Sequence, residues 1–376
     1  MTYDYAIIGA GLSGATFAER AVKNGKRVLV IDKREHVAGN CYTSRGFMGS
    51  MINVHQYGPH IFHTSDKQIW EYVNHFALFN GYVHSGHAIV NGEHWSLPIN
   101  MATMNKLWGV KDPDEAMARV ASSRIVPKPG SDDCESWMLS VVGRELYELL
   151  FKEYTTKQWG KHPSELPSSI FKRLPIRFTW NDRYYNDTFQ GIPVHGYTSM
   201  IEKMLQGACV VRGCDYAYEK NFINKIAKHV VYTGPIDAFF EHSCGKLEYR
   251  SLHFEHDLVK KPDFQGTSVI NYPSKDVKYT RIIEHVHFDD RTSLPSVDDN
   301  NTVITYEYPC MYQAAEEPFY PVCTADNLLK LEKYQRKASE IRDRYTFLGR
   351  LGTFQYLDMD DAIYFALKAA TRLGMQ

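Results

Sequence analysis

Tyr5 to Ile8 is a short apolar run of strand-forming residues that ends in Gly9-Ala10-Gly11-Leu12-Ser13-Gly14. Apolar residues then recur at helical spacing through Ala15, Ala18, Ala21 and Val22 as far as Asn24-Gly25, and Arg27 to Ile31 is a second buried-type strand ending at Asp32. Strand, helix and strand joined by a glycine-rich first turn predict a βαβ unit. From Asn100 to about Arg173 a helical period takes over, clearest in Trp137, Val141, Glu145 to Tyr147, Leu150 and Tyr154. Val126-Pro127-Lys128-Pro129-Gly130 reads as a linker within it, and Trp159-Gly160, Pro163, Pro167 and Pro175 punctuate its end. The period becomes strand-like from Gly266 to Tyr308, in Thr267 to Tyr272, Tyr279 to Phe288 and Thr302 to Tyr308, with a polar turn around 298–301; antiparallel strands are expected. A last helix, Asp358 to Leu373, places Met359, Ile363, Ala366, Leu367 and Ala370 on one face, with Asp358 or Asp360 as its cap.

Composition narrows the function classes. A chain of 376 residues has room for two or three domains at roughly 100–200 residues each. A formal net charge of −1 gives no global field for nucleic acid or an acidic membrane, so an anionic ligand must be met by locally placed cations. Twenty-five Tyr and 19 Phe favour clefts that stack planar ligands. The seven cysteines are scattered without C-x-x-C spacing and read as reduced structural thiols. No basic leader segment opens the chain and no apolar run reaches about 18 residues, so a soluble cytoplasmic protein with neither a membrane nor a nucleic-acid partner is expected.

Gly9-x-Gly11-x-x-Gly14 lies between a predicted strand and a predicted helix, and Asp32 closes the next strand. In that context the glycines allow a tight turn and close approach of a pyrophosphate, the helix start supplies N–H donors, and Asp32 can accept from a ribose hydroxyl. Val230 to Pro235 and Gly349-Arg350-Leu351-Gly352 resemble the returning strand-turn and the C-terminal flavin segment of FAD proteins, and no second glycine fingerprint for NAD(P)H is present. His55, His60 and His63 could hold a metal, make ordinary hydrogen bonds or face the cofactor; without Cys or a spaced carboxylate a metal is disfavoured, and none is expected. Phe151 and Tyr154 at helical spacing could be core or could stack a base.

Longer strings then carry a resemblance over nearly the whole chain. Gly58-Pro59-His60-Ile61-Phe62-His63-Thr64, Tyr154-Thr155-Thr156-Lys157-Gln158-Trp159-Gly160, Lys172-Arg173-Leu174-Pro175-Ile176-Arg177-Phe178, Gly191-Ile192-Pro193-Val194, Leu247-Glu248-Tyr249-Arg250, Tyr279-Thr280-Arg281-Ile282-Ile283-Glu284 and Gly349-Arg350-Leu351 occur in matching order. On these the sequence resembles the bacterial UDP-galactopyranose mutases. The resemblance implies an α/β fold: an FAD-binding Rossmann-like (GR2-type) domain with an inserted helical-bundle domain and an antiparallel β-sheet domain. The expected segments are 1–80 with 190–245 and 340–376 for FAD, 100–178 for the helices with a mobile loop, and 81–99 with 179–189 and 246–339 for the sheet. It implies an isomerase that interconverts UDP-galactopyranose and UDP-galactofuranose through a sugar adduct at N5 of reduced FAD, with no net redox change. It also implies a homodimer whose partner molecule is a UDP-sugar.

The same resemblance assigns roles. Arg173 and Arg281 match the diphosphate clamp and, with His63, the catalytic set. Phe151, Tyr154, Trp159, Tyr184 and Tyr185 match the nucleotide path, Tyr320 and Tyr356 the diphosphate-binding phenols, and His84 the surroundings of the sugar. Cofactor contacts are implied for Gly9, Gly11, Leu12, Ser13, Gly14, Asp32, Lys33, Gly39, Asn40, His60, Arg250, Gly349, Arg350, Tyr356, Asp358 and Met359. Relatives carry Asn at His84, a small or apolar residue near His87 and Gly at His195, which leaves open a related sugar nucleotide such as UDP-N-acetylgalactosamine or a deoxy-sugar nucleotide. A flavin amine-oxidase-like oxidoreductase is the competing class, and steady peroxide release would mark it. Arg173→Ala is expected to retain bound FAD, read from its absorbance, and to lose most turnover; unchanged turnover would defeat the clamp assignment.

Overall fold

In the computed structural model, residues 2–172, 174–289, 300–312 and 317–376 are described. Arg173, and the 298–299 half of the expected polar turn, lie outside them. The elements that position the site are β1 (Tyr3–Ile8), α1 (Leu12–Lys23), β2 (Val28–Ile31), the hairpin β3 (Gly86–Val90) and β4 (Glu93–Leu97), and helices α2 (Met101–Trp108), α3 (Pro113–Ser123), α4 (Cys134–Tyr147) and α5 (Glu153–Trp159). They continue with β5 (Cys209–Val211), β6 (Ala227–Tyr232), β7 (Tyr249–Val259), β8 (Val269–Asn271), β9 (Arg281–Glu284), β10 (Thr302–Met311), β11 (Tyr320–Pro321), β12 (Tyr345–Phe347) and α6 (Met359–Arg372).

Five strands form a parallel sheet in the order β12-β6-β1-β2-β5. Its strands are apolar on both faces because both are covered. Ile7, Val30 and Val231 pack against Ala15, Ala18 and Ala21 of α1 and Ile363, Ala366 and Ala370 of α6, while Ala6, Ile8 and Ile31 meet Tyr216 and Phe239 on the other side. The alanine stripe on α1 lets the helix come close to the strands, and Gly14 is part of that approach. A Cβ on Gly14 would stand 2.0 Å from the Gly9 carbonyl oxygen, a backbone atom that cannot move aside.

The second sheet has seven strands in the order β11-β7-β10-β9-β8-β3-β4. It was expected to be antiparallel throughout; instead β8 runs parallel to β3 at Ile270↔His87 and Asn271↔Ala88. The β3/β4 hairpin arrives from an earlier part of the chain as a finished unit and joins the sheet edge in the direction its own connection gives it. The expected strand Tyr279 to Phe288 also ends early, because His285 to Phe288 is a 3-10 turn. His285 and Phe288 are both buried on the side of His55, and residues three apart share a side in a 3-10 turn but not in a strand. Upstream, the carbonyls of Tyr272 and Tyr279 are turned onto the Lys157 ammonium.

The helices between the sheets start where capping residues dictate. Asn100 accepts from the N–H groups of Ala102 and Thr103, Asp112 caps α3 ahead of Pro113, and Asp133 caps α4. The helical period from Trp137 to Tyr154 is not one straight helix. Gly143 breaks it at φ 78°, where a Cβ would meet the Ser123 carbonyl at 2.6 Å, and Glu148–Lys152 is a single π-turn that leads into α5. Met104, Val120, Met138, Leu146 and Phe151 share one core with Ala88 and Trp95 of the hairpin, which fastens the helices to the second sheet.

Gly14→Ala should lower stability by about 2–3 kcal/mol, as overpacking against backbone does. Gly81→Ala, where a Cβ meets nothing within 4 Å, should stay within about 0.5 kcal/mol. Thermal unfolding of both variants checks this, and equal transition temperatures would contradict it.

Candidate active site

The first half of the site is a cleft of about 530 Å³ at the carboxyl ends of β1 and β2. Gly9, Gly11, Leu12, Ser13, Gly14, Asp32, Lys33, Gly39, Asn40, His60, Gly349, Arg350, Asp358 and Met359 line it. Gly9 has φ 106°, and a Cβ there would stand 2.0 Å from Thr233 Oγ1; a Cβ on Gly39 would stand 3.0 Å from the Gly11 Cα. The wall is therefore bare backbone. α1 begins at Gly11 with no side-chain cap and no acid in its first turn, which leaves N–H donors and a positive dipole end for a pyrophosphate. These features fit a dinucleotide such as FAD.

Asp32 is more committed than expected, since Oδ2 accepts from Ala10 N–H at 2.8 Å and Oδ1 from Arg34 N–H at 2.9 Å. It ties the glycine turn to the loop after β2, and a ribose would share its remaining lone pairs. Arg34, which sequence reasoning missed, stacks over Tyr57, donates to Asn40 Oδ1 and pairs with Glu317, as does Lys33 at 2.8 Å. Burial pushes His60 down to about 4, helped by Arg350 and Arg281 nearby, so the ring is neutral. Its Nδ1 lies 2.9 Å from the Gly58 carbonyl. That contact requires Nδ1–H and leaves Nε2 as an acceptor.

Three aromatic groups meet beside this cleft. Phe151, Tyr154 and Tyr184 line a small apolar pocket with Trp137, Met138 and Pro175. Phe151 is both core and lining, while Tyr154 is only half-buried. Tyr320 and Tyr356 stack at 5.4 Å, with Trp159 6.1 Å and 6.4 Å away, and Arg350 lies over both tyrosines while donating to the carbonyls of Phe319 and Leu357. His63 stacks on Tyr185 at 3.7 Å, and its Nδ1 is 2.8 Å from Asp187, which also accepts from Ser65. His84 is buried against Tyr184 and Tyr185, bonded to the Tyr82 hydroxyl and pushed down to about 3 by burial, with Arg281 acting the same way. The three histidines do not form one cluster: His60 N–H donates to His55 Nδ1 at 3.1 Å and His55 is buried among His285, Phe288 and Tyr197, while His63 makes its contacts with Tyr185 and Asp187.

Arg281 stands where these groups adjoin. Its Nε and Nη2 donate to Glu307 Oε1 at 3.0 and 2.7 Å, and Thr280 Oγ1 lies 3.2 Å from the same oxygen. Burial works against the guanidinium charge, but Glu307, and beyond it Tyr154 and Tyr320, hold its pKa well above the ordinary value. Glu307 is wholly buried, directly opposite Arg281 in the sheet register. It was missed because it reads as one more polar position in a strand; an acid in an otherwise buried stretch was the available signal. Arg250, expected beside the cofactor, is placed elsewhere: it is buried with Nε on the Gln158 carbonyl and Nη2 on that of Lys157, at the end of α5.

Comparison with known proteins agrees with this geometry. The UDP-galactopyranose mutase family pattern matches residues 149–356, and an NAD(P)-binding Rossmann-like domain pattern matches residues 7–76. The chain is 42% identical over 372 residues to a Klebsiella pneumoniae protein described as a probable UDP-galactopyranose mutase, covering 97% of this chain and 93% of that one. It is 37% identical over 373 residues to an Escherichia coli dTDP-fucopyranose mutase, covering 97% and 96%. Its fold matches a crystal structure of reduced UDP-galactopyranose mutase with a TM-score of 0.72 at 14% identity, over 99% of this chain and 94% of that one. A wild-type putrescine oxidase bound to putrescine matches at 0.60, with 12% identity and 99% of each chain covered. With near-complete coverage at such identity, and a family pattern that matches more than half of its residues, the chain belongs to the UDP-galactopyranose mutase family.

Proposed function

We propose that this protein is a flavin-dependent isomerase that interconverts UDP-galactopyranose and UDP-galactofuranose without net redox change. The observation that carries the reading is the Arg281–Glu307 pair, a half-buried cation on a buried carboxylate, which acts electrostatically on both His60 of the dinucleotide cleft and Tyr154 of the aromatic pocket. Reduced FAD, when bound, supplies the nucleophilic chemistry at the sugar. The chain's own residues do the rest. Backbone N–H groups at Gly11 to Gly14 receive the cofactor pyrophosphate, and Phe151, Tyr154 and Tyr184 take the uracil. Arg281 and the Tyr320 and Tyr356 phenols face the substrate diphosphate, whose negative charge grows as it departs.

Because Glu307 already balances Arg281, the pair is neutral and a diphosphate needs another cation. This supports the proposed role of Arg173, and a cation carried on a loop would let the site close only around nucleotide. We assign His63, oriented by Asp187 through Nδ1, and His84 to the sugar side. The segments expected from the sequence are kept as the domain scheme. A homodimer in the cytoplasm is proposed on family membership, together with the finding that no described helix is long and apolar enough to cross a membrane.

Dithionite-reduced protein should convert UDP-galactofuranose to UDP-galactopyranose, resolved by anion-exchange chromatography, and oxidised protein should not. dTDP-fucofuranose is run beside it, since the Escherichia coli relative is named for that sugar. Turnover of the dTDP-sugar alone would move the substrate assignment, and no turnover of either would overturn the mutase reading.

Tyr154→Ala should weaken UDP binding by about 1–3 kcal/mol, the range for losing a base-stacking ring. Calorimetric titration of UDP checks this; unchanged affinity with a lower melting temperature would make Tyr154 a packing residue.

A further inference from the structure

Lys157 makes an arrangement that the site as described does not use. Its Nζ donates to the carbonyls of Tyr272, Ser274, Val277 and Tyr279 at 2.6, 2.8, 2.9 and 2.9 Å. An ammonium has three N–H donors, so four carbonyls share them around one point charge. No strand ladder could present four carbonyls to one atom; the segment between β8 and β9 is wound about this lysine. Burial lowers the Lys157 pKa to about 8, while the converging carbonyl dipoles favour the charged form. Glu153, one turn earlier on α5, accepts from Lys275 N–H at 3.0 Å and fastens the same segment a second time.

The fastening is reciprocal. Arg250 reaches from β7 to the carbonyls of Gln158 and of Lys157 itself at 2.9 and 3.3 Å. Gly160 is where the two come closest, since a Cβ there would stand 2.9 Å from Arg250 Nη1. Helix α5 thus gives its lysine to the sheet and takes an arginine from it. What these bonds align is the site: Tyr154 belongs to α5, while Asn271 and Pro273, at the start of the wound segment, line the same apolar pocket as Tyr154. Arg281 follows the other end of the segment, directly after Thr280.

We propose that Lys157 is a positioning residue for the mutase reaction, setting the distance between the base-stacking helix and the diphosphate-binding arginine. The proposal rests on the UDP-sugar reading of the site. It predicts that loss of the ammonium hurts nucleotide affinity without touching the cofactor, because among the described residues the ammonium bonds to the carbonyls of Tyr272, Ser274, Val277 and Tyr279, none of which lines the dinucleotide cleft.

The test uses the FAD-loaded protein and UDP as the probe. Lys157→Met, which keeps the length of the side chain and removes the charge and donors, should retain full FAD content and bind UDP about tenfold to a hundredfold more weakly, as displacements of about 1 Å in an active site do. KM for UDP-galactofuranose should rise with it. Should Lys157→Met not fold, Lys157→Gln, with two N–H donors and no charge, is measured the same way and should weaken UDP binding about threefold or more. Wild-type UDP affinity in the folded variant, even with a lower melting temperature, would reduce Lys157 to a structural staple and overturn the proposal. Failure of the unmodified protein to bind UDP would instead overturn the reading of the site on which it rests.

Discussion

Burying Glu307 is the constraint around which the remainder of the site is arranged. A carboxylate with no exposure is tolerable only with a counter-charge, and the half-buried Arg281 supplies it from the neighbouring strand. Removing one member of such a pair costs about 3–5 kcal/mol, because the other is left charged and buried. The ion pair therefore fixes the register of β9 against β10 as well as the place of the cation. Its neutrality also explains why aromatic rings rather than further charges surround it: Tyr154 and Tyr320 bring hydroxyl dipoles without adding net charge.

That constraint passes outward through the segment before Arg281. Thr280 donates to the Glu307 carbonyl, Tyr272 donates to that of Thr280, and the carbonyls between them close on Lys157 of α5. Since α5 also carries Tyr154 and Trp159, the aromatic side of the site and its cation are referenced to one another through a few directional bonds. On the opposite side, the dinucleotide cleft carries charges of both signs, with Lys33, Arg34 and Arg350 set against Asp32, Glu317 and Asp358. At its floor are glycine backbone and an uncapped helix start, tied by Asp32 across the turn to the next loop. A chain with a net charge near zero can bind two diphosphates in this way because its cations and dipoles are local.

Legibility in the sequence followed the range of the interactions. The turn at Gly9 to Gly14, α1 and its stop at Asn24, and the cap of α6 at Asp358 are local, and the sequence pattern located each of them. The residues that line the cleft from farther along the chain, such as His60, Gly349 and Asp358, were reached only through the resemblance. Glu307 was hidden because its meaning lies across the sheet, in a strand whose polar positions alternate as any strand's do. Lys157 was hidden inside a string noticed only for its resemblance, since its partners are backbone carbonyls that have no sequence signature. Gly143, the π-turn after it and the 3-10 turn at His285 were illegible for a similar reason. Each breaks a regular period to satisfy a tertiary contact: Ser123 in the first case, the shared burial of His285 and Phe288 in the last.

We propose that the neutral Arg281–Glu307 pair serves a diphosphate that leaves the sugar and returns, with electrons neither gained nor lost. Positional isotope exchange tests it directly. UDP-galactopyranose labelled with 18O in the bridge between the anomeric carbon and the β-phosphorus is incubated with reduced protein, and the label is followed by 31P NMR. Migration of label from the bridge to the non-bridging oxygens of the β-phosphate is the predicted result. Conversion of the sugar with the label still wholly in the bridge would contradict the account.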